Sequence, residues 1–277
     1  MIGQSLTSRL ATIIFIILTI QGCAGKPWTD PLGETESKTV KTIFSQMQDR
    51  EAHCSCCQEA DITMSWNTPL TKKSIGGFLE TRQPSSIKFI MTNPLGQPVF
   101  AMVTSNLSFQ SINTVYRTYQ SGGLNSLLLY HDAPQSLLSS NWATYLMGRL
   151  GQGPAEIVAT RNDKEKRGVW LTIRFSDGDK IRKSHLLIDM VNKRLLARMI
   201  SQWQVGDNDN EESVAIIHYD DWLPDNSCPI PTKLRISEYS LGAELNVQLS
   251  KISTDVQLNF DNFKINPPPG YLRQRLP

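Results

Sequence analysis

Four thiols in the body of the chain are its most reactive groups. Cys54, Cys56 and Cys57 stand together in His53-Cys54-Ser55-Cys56-Cys57, and Cys228 precedes Pro229 far downstream. Four cysteines allow three pairings. The leading reading is two structural bridges, one tying the cluster to Cys228; a Cys56–Cys57 bridge would be a strained vicinal pair. A bridge from the cluster to Cys228 closes a loop of more than 170 residues, which chain entropy values at about 5 kcal/mol or less. A second reading is a metal or redox site built from His53 and three cysteines, but the spacing CxCC lacks the usual CxxC pair and oxidation competes with metal. Free or mixed thiols are the third.

Other reactive patterns are sparse. His53, His131, His185 and His218 stand in no HExxH pattern and beside no nucleophile motif, and there is no GxSxG. Gly151-Gln152-Gly153-Pro154 lacks the spacing and the lysine of a phosphate loop. Asp220-Asp221 reads as a solvated strand end, and Asp177-Gly178-Asp179 as a hairpin turn, since Asp-Gly is a strong hairpin signal. No enzyme activity, cofactor or resident metal is therefore expected. The 277 residues are 40% apolar and 19% charged, an ordinary globular composition. The formal charge is only +2, which argues against a nucleic-acid binder working by phosphate neutralisation.

The N-terminus reads as an address. Arg9 precedes Leu10 to Ile20, an apolar stretch of 11 residues, too short to span a bilayer and of signal-peptide length. Ile20-Gln21-Gly22-Cys23 then resembles the bacterial lipobox. That resemblance implies lipidation of Cys23 through its sulfur, cleavage before it and acylation of the new amine. Ala24 in place of Asp implies retention at the outer membrane. Each buried acyl CH₂ contributes about 0.8 kcal/mol, so several chains anchor stably. Residues 1–22 are thus a lipoprotein signal peptide, 23–36 a lipidated flexible tether rich in Pro, Gly and charge, and 37–277 one domain. The expected protein is a monomer held in the outer membrane by Cys23, facing the periplasm, where disulfides persist.

The elements follow from periodicity. Val40, Ile43, Phe44 and Met47 recur at helical spacing and predict an amphipathic helix over 37–50. Alternation of period two then predicts short strands, from Ile62-Met64-Trp66 through Val256 to Lys264. A second amphipathic helix over 136–150 interrupts them, with Leu138, Trp142, Tyr145 and Leu146 on one face. The expected class is mostly β with α: a curled antiparallel sheet, an incomplete barrel of about ten to twelve strands, capped by amphipathic helices. Trp66, Phe78, Phe89, Met91, Phe100, Met102, Phe109, Trp170 and Phe175 are the expected inner positions. All but the last two, with Trp142 and Leu146, are candidates to line an apolar acyl cavity. A dry, filled core is the alternative.

Residues 87–96, IKFIMTNPLG, carry Thr92-Asn93-Pro94-Leu95-Gly96 at the end of an apolar strand, and residues 141–151, NWATYLMGRLG, end a helix in an aromatic, two apolar residues and Gly148. With Ile230-Pro231 before a late strand, these resemble LolB, of the LolA/LolB superfamily of lipoprotein-localisation factors. The resemblance implies an incomplete barrel around an acyl-binding cavity, and cargo of acylated lipoproteins or lipids received from a LolA-like periplasmic carrier. By motif position it also implies that Leu95 projects from its loop and assists insertion into the membrane. The competing function is a non-catalytic structural lipoprotein that binds a protein partner of the envelope.

Overall fold

The computed structural model describes residues 26–67, 72–126, 141–151, 155–177, 180–203, 211–223, 228–238 and 243–277. Cys23 and the signal peptide lie outside the described residues, as do Leu138 and the first residues of the second predicted helix, and His131.

Among the described residues, fifteen strands form one sheet. In chain order they are β1 (Trp28–Pro31), β2 (Cys57–Asn67), β3 (Lys72–Arg82), β4 (Ser86–Thr92), β5 (Pro98–Ser105), β6 (Ser108–Asn113) and β7 (Thr118–Gly123), then β8 (Ala155–Asp163), β9 (Val169–Asp177), β10 (Lys180–Asp189), β11 (Arg194–Trp203), β12 (Glu211–Trp222), β13 (Pro231–Glu238), β14 (Ala243–Ser253) and β15 (Leu272–Arg275). Two meanders, β2 to β7 and β8 to β14, join through the pair β14–β2, so the spatial order is β1-β8-β9-β10-β11-β12-β13-β14-β2-β3-β4-β5-β6-β7-β15. Neighbours are antiparallel except β15, which lies parallel to β7. The sheet is open, with β1 and β15 at its edges. This corrects the expected barrel of ten to twelve strands.

The corrections have local causes. Residues 23–36 are expected to be tether throughout, yet Trp28–Pro31 pairs with β8 because Trp28 buries its ring against Trp170, with centroids 5.6 Å apart. The predicted strand over 256–264 instead holds a 3₁₀ turn, Phe260–Phe263, because the Asn259 side chain accepts from the amides of Asp261 and Asn262. The short strands β1, β7 and β15 carry little alternation, and β8 breaks its period at a register shift between Ile157 and Ala159.

Two helices among the described residues cover one face. The first, α1 (Glu34–Glu51), begins at Gly33, whose amide donates to the Glu36 carboxylate. It buries Val40, Phe44 and Met47, while Ile43 packs half-buried beside them, as its spacing predicts. The second, α2 (Trp142–Leu146), is one short turn. It stops before Gly148, which adopts φ +64° and has no room for a Cβ against Pro231. One large core joins α1 and α2 to Leu171, Ile173, Leu186, Ile188, Ile217, Leu234 and Val247 of the sheet. No helix among the described residues is long and apolar enough to cross a membrane.

Candidate functional site

The helix-covered sheet face has two grades of burial. On β9 to β13, Leu171, Ile173, Leu186, Ile188 and Leu234 are wholly enclosed with Val40, Phe44 and Met47. On β2, β4 and β5, the residues Met64, Trp66, Met91, Phe100 and Met102 are only half-buried. Register puts them on the same face: Met91 lies opposite Phe100, and Phe89 opposite both Leu79 and Met102. Phe89 is buried in the main core with Trp142, and Leu146 packs half-buried against it. Phe109 is buried on this face too, in a separate cluster with Leu124 and Leu276.

Two expected inner positions turn outward. Phe78 is 52% exposed, because Leu79 takes the inner place beside Ala60 and Phe89. Two adjacent apolar residues leave the parity of that strand ambiguous in sequence. Trp170 belongs to a small cluster with Trp28, Leu187, Ala197, Met199 and Ile216, on the face opposite Leu171. Its indole donates to the Asp163 carboxylate at 2.8 Å. The side chain of Phe175 lies outside the described residues.

The loop between β4 and β5 projects an apolar tip. The Asn93 side chain accepts from the amides of Leu95 and Gln97, each at 3.0 Å, and Gly96 takes φ +79°. Leu95, at the tip, is 83% exposed.

A charged cluster, not foreseen from the sequence, sits at the end of the helical layer. Glu51 continues the stripe of Val40, Phe44 and Met47, and both its oxygens accept from the Leu150 amide, at 3.1 and 2.9 Å. Arg198 lies opposite the buried Leu186 and Ile217 and donates to the carbonyls of Arg149 and Leu150, at 2.7 and 2.8 Å. Its guanidinium packs 4.6 Å from the Tyr145 ring centroid. The Tyr219 hydroxyl donates to the Tyr145 carbonyl, and burial pushes its pKa up to about 12. Arg149 is 2% exposed, and none of its three guanidinium nitrogens has a hydrogen-bond partner. The sequence signal was a charge at an apolar-stripe position, Glu51, and another at an inward strand position, Arg198.

Burial raises the Glu51 pKa from 4.5 to about 6, against the opposing pull of the Leu150 amide and Arg149. In the folded chain Glu51 therefore keeps its proton to a higher pH than in the unfolded one. Its stabilising contribution is full below 4.5 and is lost as pH rises through about 6, a loss of about 2 kcal/mol. Denaturant titrations on either side of that window should show the decline in the natural chain and not in Glu51→Gln.

The cysteines form one bridge, Cys54–Cys228, across 174 residues with Cα atoms 5.7 Å apart. The second expected bridge is not formed. Cys56 is an exposed free thiol and Cys57 a buried one, with their sulfurs 3.0 Å apart. Burial raises the Cys57 pKa. His53 donates from Nδ1 to the Asp49 carbonyl at 2.8 Å. Among the described residues, no three His, Cys, Asp or Glu side chains converge as a metal site. Asp220 and Asp221 face Arg235 and Lys233.

A cavity of about 570 Å³ opens near the β8–β9 and β10–β11 turns. Asp163, Lys164, Lys166, Arg167 and Asp189 line it beside Val169, Met190 and Val191, a mixed wall whose many charges suit an acyl chain poorly.

No protein-family model matches the chain, and no curated protein does. Solved structures do match in shape. A DUF1329 family protein from Desulfovibrio piger superposes with TM-score 0.57 at 10% identity, over 85% of this chain and 98% of that one. A LolA superfamily protein from Nitrosomonas europaea gives 0.55 at 10% identity, over 80% and 97%. A domain from Vibrio parahaemolyticus, named for outer-membrane lipoprotein sorting, gives 0.54 at 9% identity, over 81% and 97%. At such identities these likenesses show the fold: a mostly β, LolA-like sheet with few helices.

Proposed function

We propose that this chain is a lipoprotein, anchored in the outer membrane through Cys23, that takes acyl chains of lipoproteins or lipids onto its apolar sheet face and passes them to the outer membrane. It works without covalent chemistry, as a monomer, and a LolA-like periplasmic carrier supplies its cargo. The observation that carries this reading is the unequal burial of one sheet face. A core that only held the fold together would enclose Met64, Trp66, Met91, Phe100 and Met102 as fully as it encloses Leu171 and Leu186. Instead a band of flexible methionines and flat aromatics stays half-covered, a composition suited to chains of varied shape. The LolA-like fold supports the same reading.

Uptake is driven by apolar burial, at about 0.8 kcal/mol per CH₂. Release requires a bilayer that buries those chains equally well. Leu95, presented on a loop that Asn93 braces, is placed to touch that bilayer first. A carboxylate in a membrane interior costs about 3 kcal/mol where leucine gains about 0.5. Leu95→Glu should therefore slow transfer of a bound fluorescent fatty acid to vesicles at least about tenfold while leaving uptake nearly unchanged. Equal transfer by both proteins removes Leu95 from the mechanism, and absence of saturable uptake by the natural chain refutes the function.

A further inference from the structure

Arg149 is the least explained side chain among the described residues. It is 2% exposed, yet Nε and both terminal nitrogens lack hydrogen-bond partners. A buried guanidinium is normally paired, because unmet charged donors are costly to desolvate. Its neighbours do not discharge that need. The Glu51 carboxylate is close enough to attract it but directs both oxygens to the Leu150 amide. Arg198 spends its two terminal nitrogens on the carbonyls of Arg149 and Leu150 and on Ser184, and its Nε is itself unpaired. Arg50, whose guanidinium donates to the Lys193 carbonyl, adds a third positive charge to the surroundings. Three arginines against one carboxylate leave this cluster with excess positive charge.

We infer that Arg149 is the counter-ion for a carboxylate or phosphate group, the head of an amphiphile whose tail lies on the half-buried apolar band. This rests on the function proposed above and adds a class to it: anionic lipids in preference to neutral ones. Position favours the pairing. Arg149 follows Leu146 by three residues, and Leu146 and Tyr145 are half-buried against the core. A tail from a head at Arg149 would run along the core that also holds Met64 and Met91 of the band. Both terminal nitrogens of a guanidinium fit the two oxygens of such a head.

The test uses the full chain at neutral pH with palmitate, methyl palmitate and inorganic phosphate. The acid and ester share a tail and differ in charge, while phosphate has no tail. The natural chain should bind palmitate roughly tenfold or more tighter than its methyl ester, and Arg149→Met should abolish that preference while keeping ester binding. Arg149→Lys, which retains the charge but not the fork, should keep part of the preference, and circular dichroism of both variants establishes that they fold. Equal binding of acid and ester by the natural chain overturns the anion site and leaves lipid binding standing. If neither lipid binds, the lipid reading falls. Phosphate binding lost in Arg149→Met then still supports an anion site, for a free anion, and no phosphate binding overturns it.

Discussion

Alanine at Cys54 or Cys228 should lower the unfolding free energy by about 5 kcal/mol, the largest single effect expected in this chain. The bridge spans 174 residues, and restricting so long a loop removes much of the unfolded chain's freedom. It ties the turn between α1 and β2 to the segment before β13, and β2 and β13 flank β14 in the sheet. Urea titration of the natural chain with and without reductant, beside Cys54→Ala, measures the effect. Reductant and mutation should agree. Cys56→Ala should change stability little, because that thiol is exposed and unbridged. A loss below about 1 kcal/mol on breaking Cys54–Cys228 would mean that the unfolded chain is already confined without it.

Gly77→Ala should cost about 3 kcal/mol or more. A Cβ at Gly77 would lie 2.0 Å from the Ile90 carbonyl oxygen and 2.9 Å from its carbon, both backbone atoms that cannot swing aside. The strand β4 crosses Gly77 so closely that only glycine fits. Gly76→Ala is the control. Its Cβ would meet nothing nearer than the Ile62 oxygen at 3.9 Å, so stability should change by less than about 1 kcal/mol. Thermal unfolding of the two variants separates the close approach from the general effect of alanine in a strand. Similar unfolding of both would show that β3 and β4 can part at no cost.

Much of this architecture was legible in the residues. Val40, Phe44 and Met47 announced α1 because helical spacing is a strong signal in a long amphipathic stretch. Asn93-Pro94-Leu95-Gly96 announced its turn because each residue type suits its backbone place. Local spacing failed where distant partners decide the outcome. Trp28 enters the sheet only because Trp170 waits on β9. Phe78 faces out only because Leu79 meets Phe89. The pairing of Cys54 rather than Cys56 or Cys57 with Cys228 depends on which sulfur the end of α1 presents, a matter of tertiary geometry. The charged cluster was missed for a related reason. Glu51, Arg149 and Arg198 come from three separate parts of the chain, and a charge at an apolar-stripe or inward strand position does not by itself name its partners.

The most direct measurement of the central claim is mass spectrometry of lipid extracted from the natural protein, purified without detergent from the membrane-detached domain. An apolar band that shelters acyl chains should carry an acyl lipid in near-stoichiometric amount, displaced by added fatty acid. Replacing the half-buried Phe100 or Met102 with aspartate should deplete it. A protein that carries no lipid and takes up none when offered it would contradict the account, and Met64, Trp66, Met91, Phe100 and Met102 would then be the rim of a filled core.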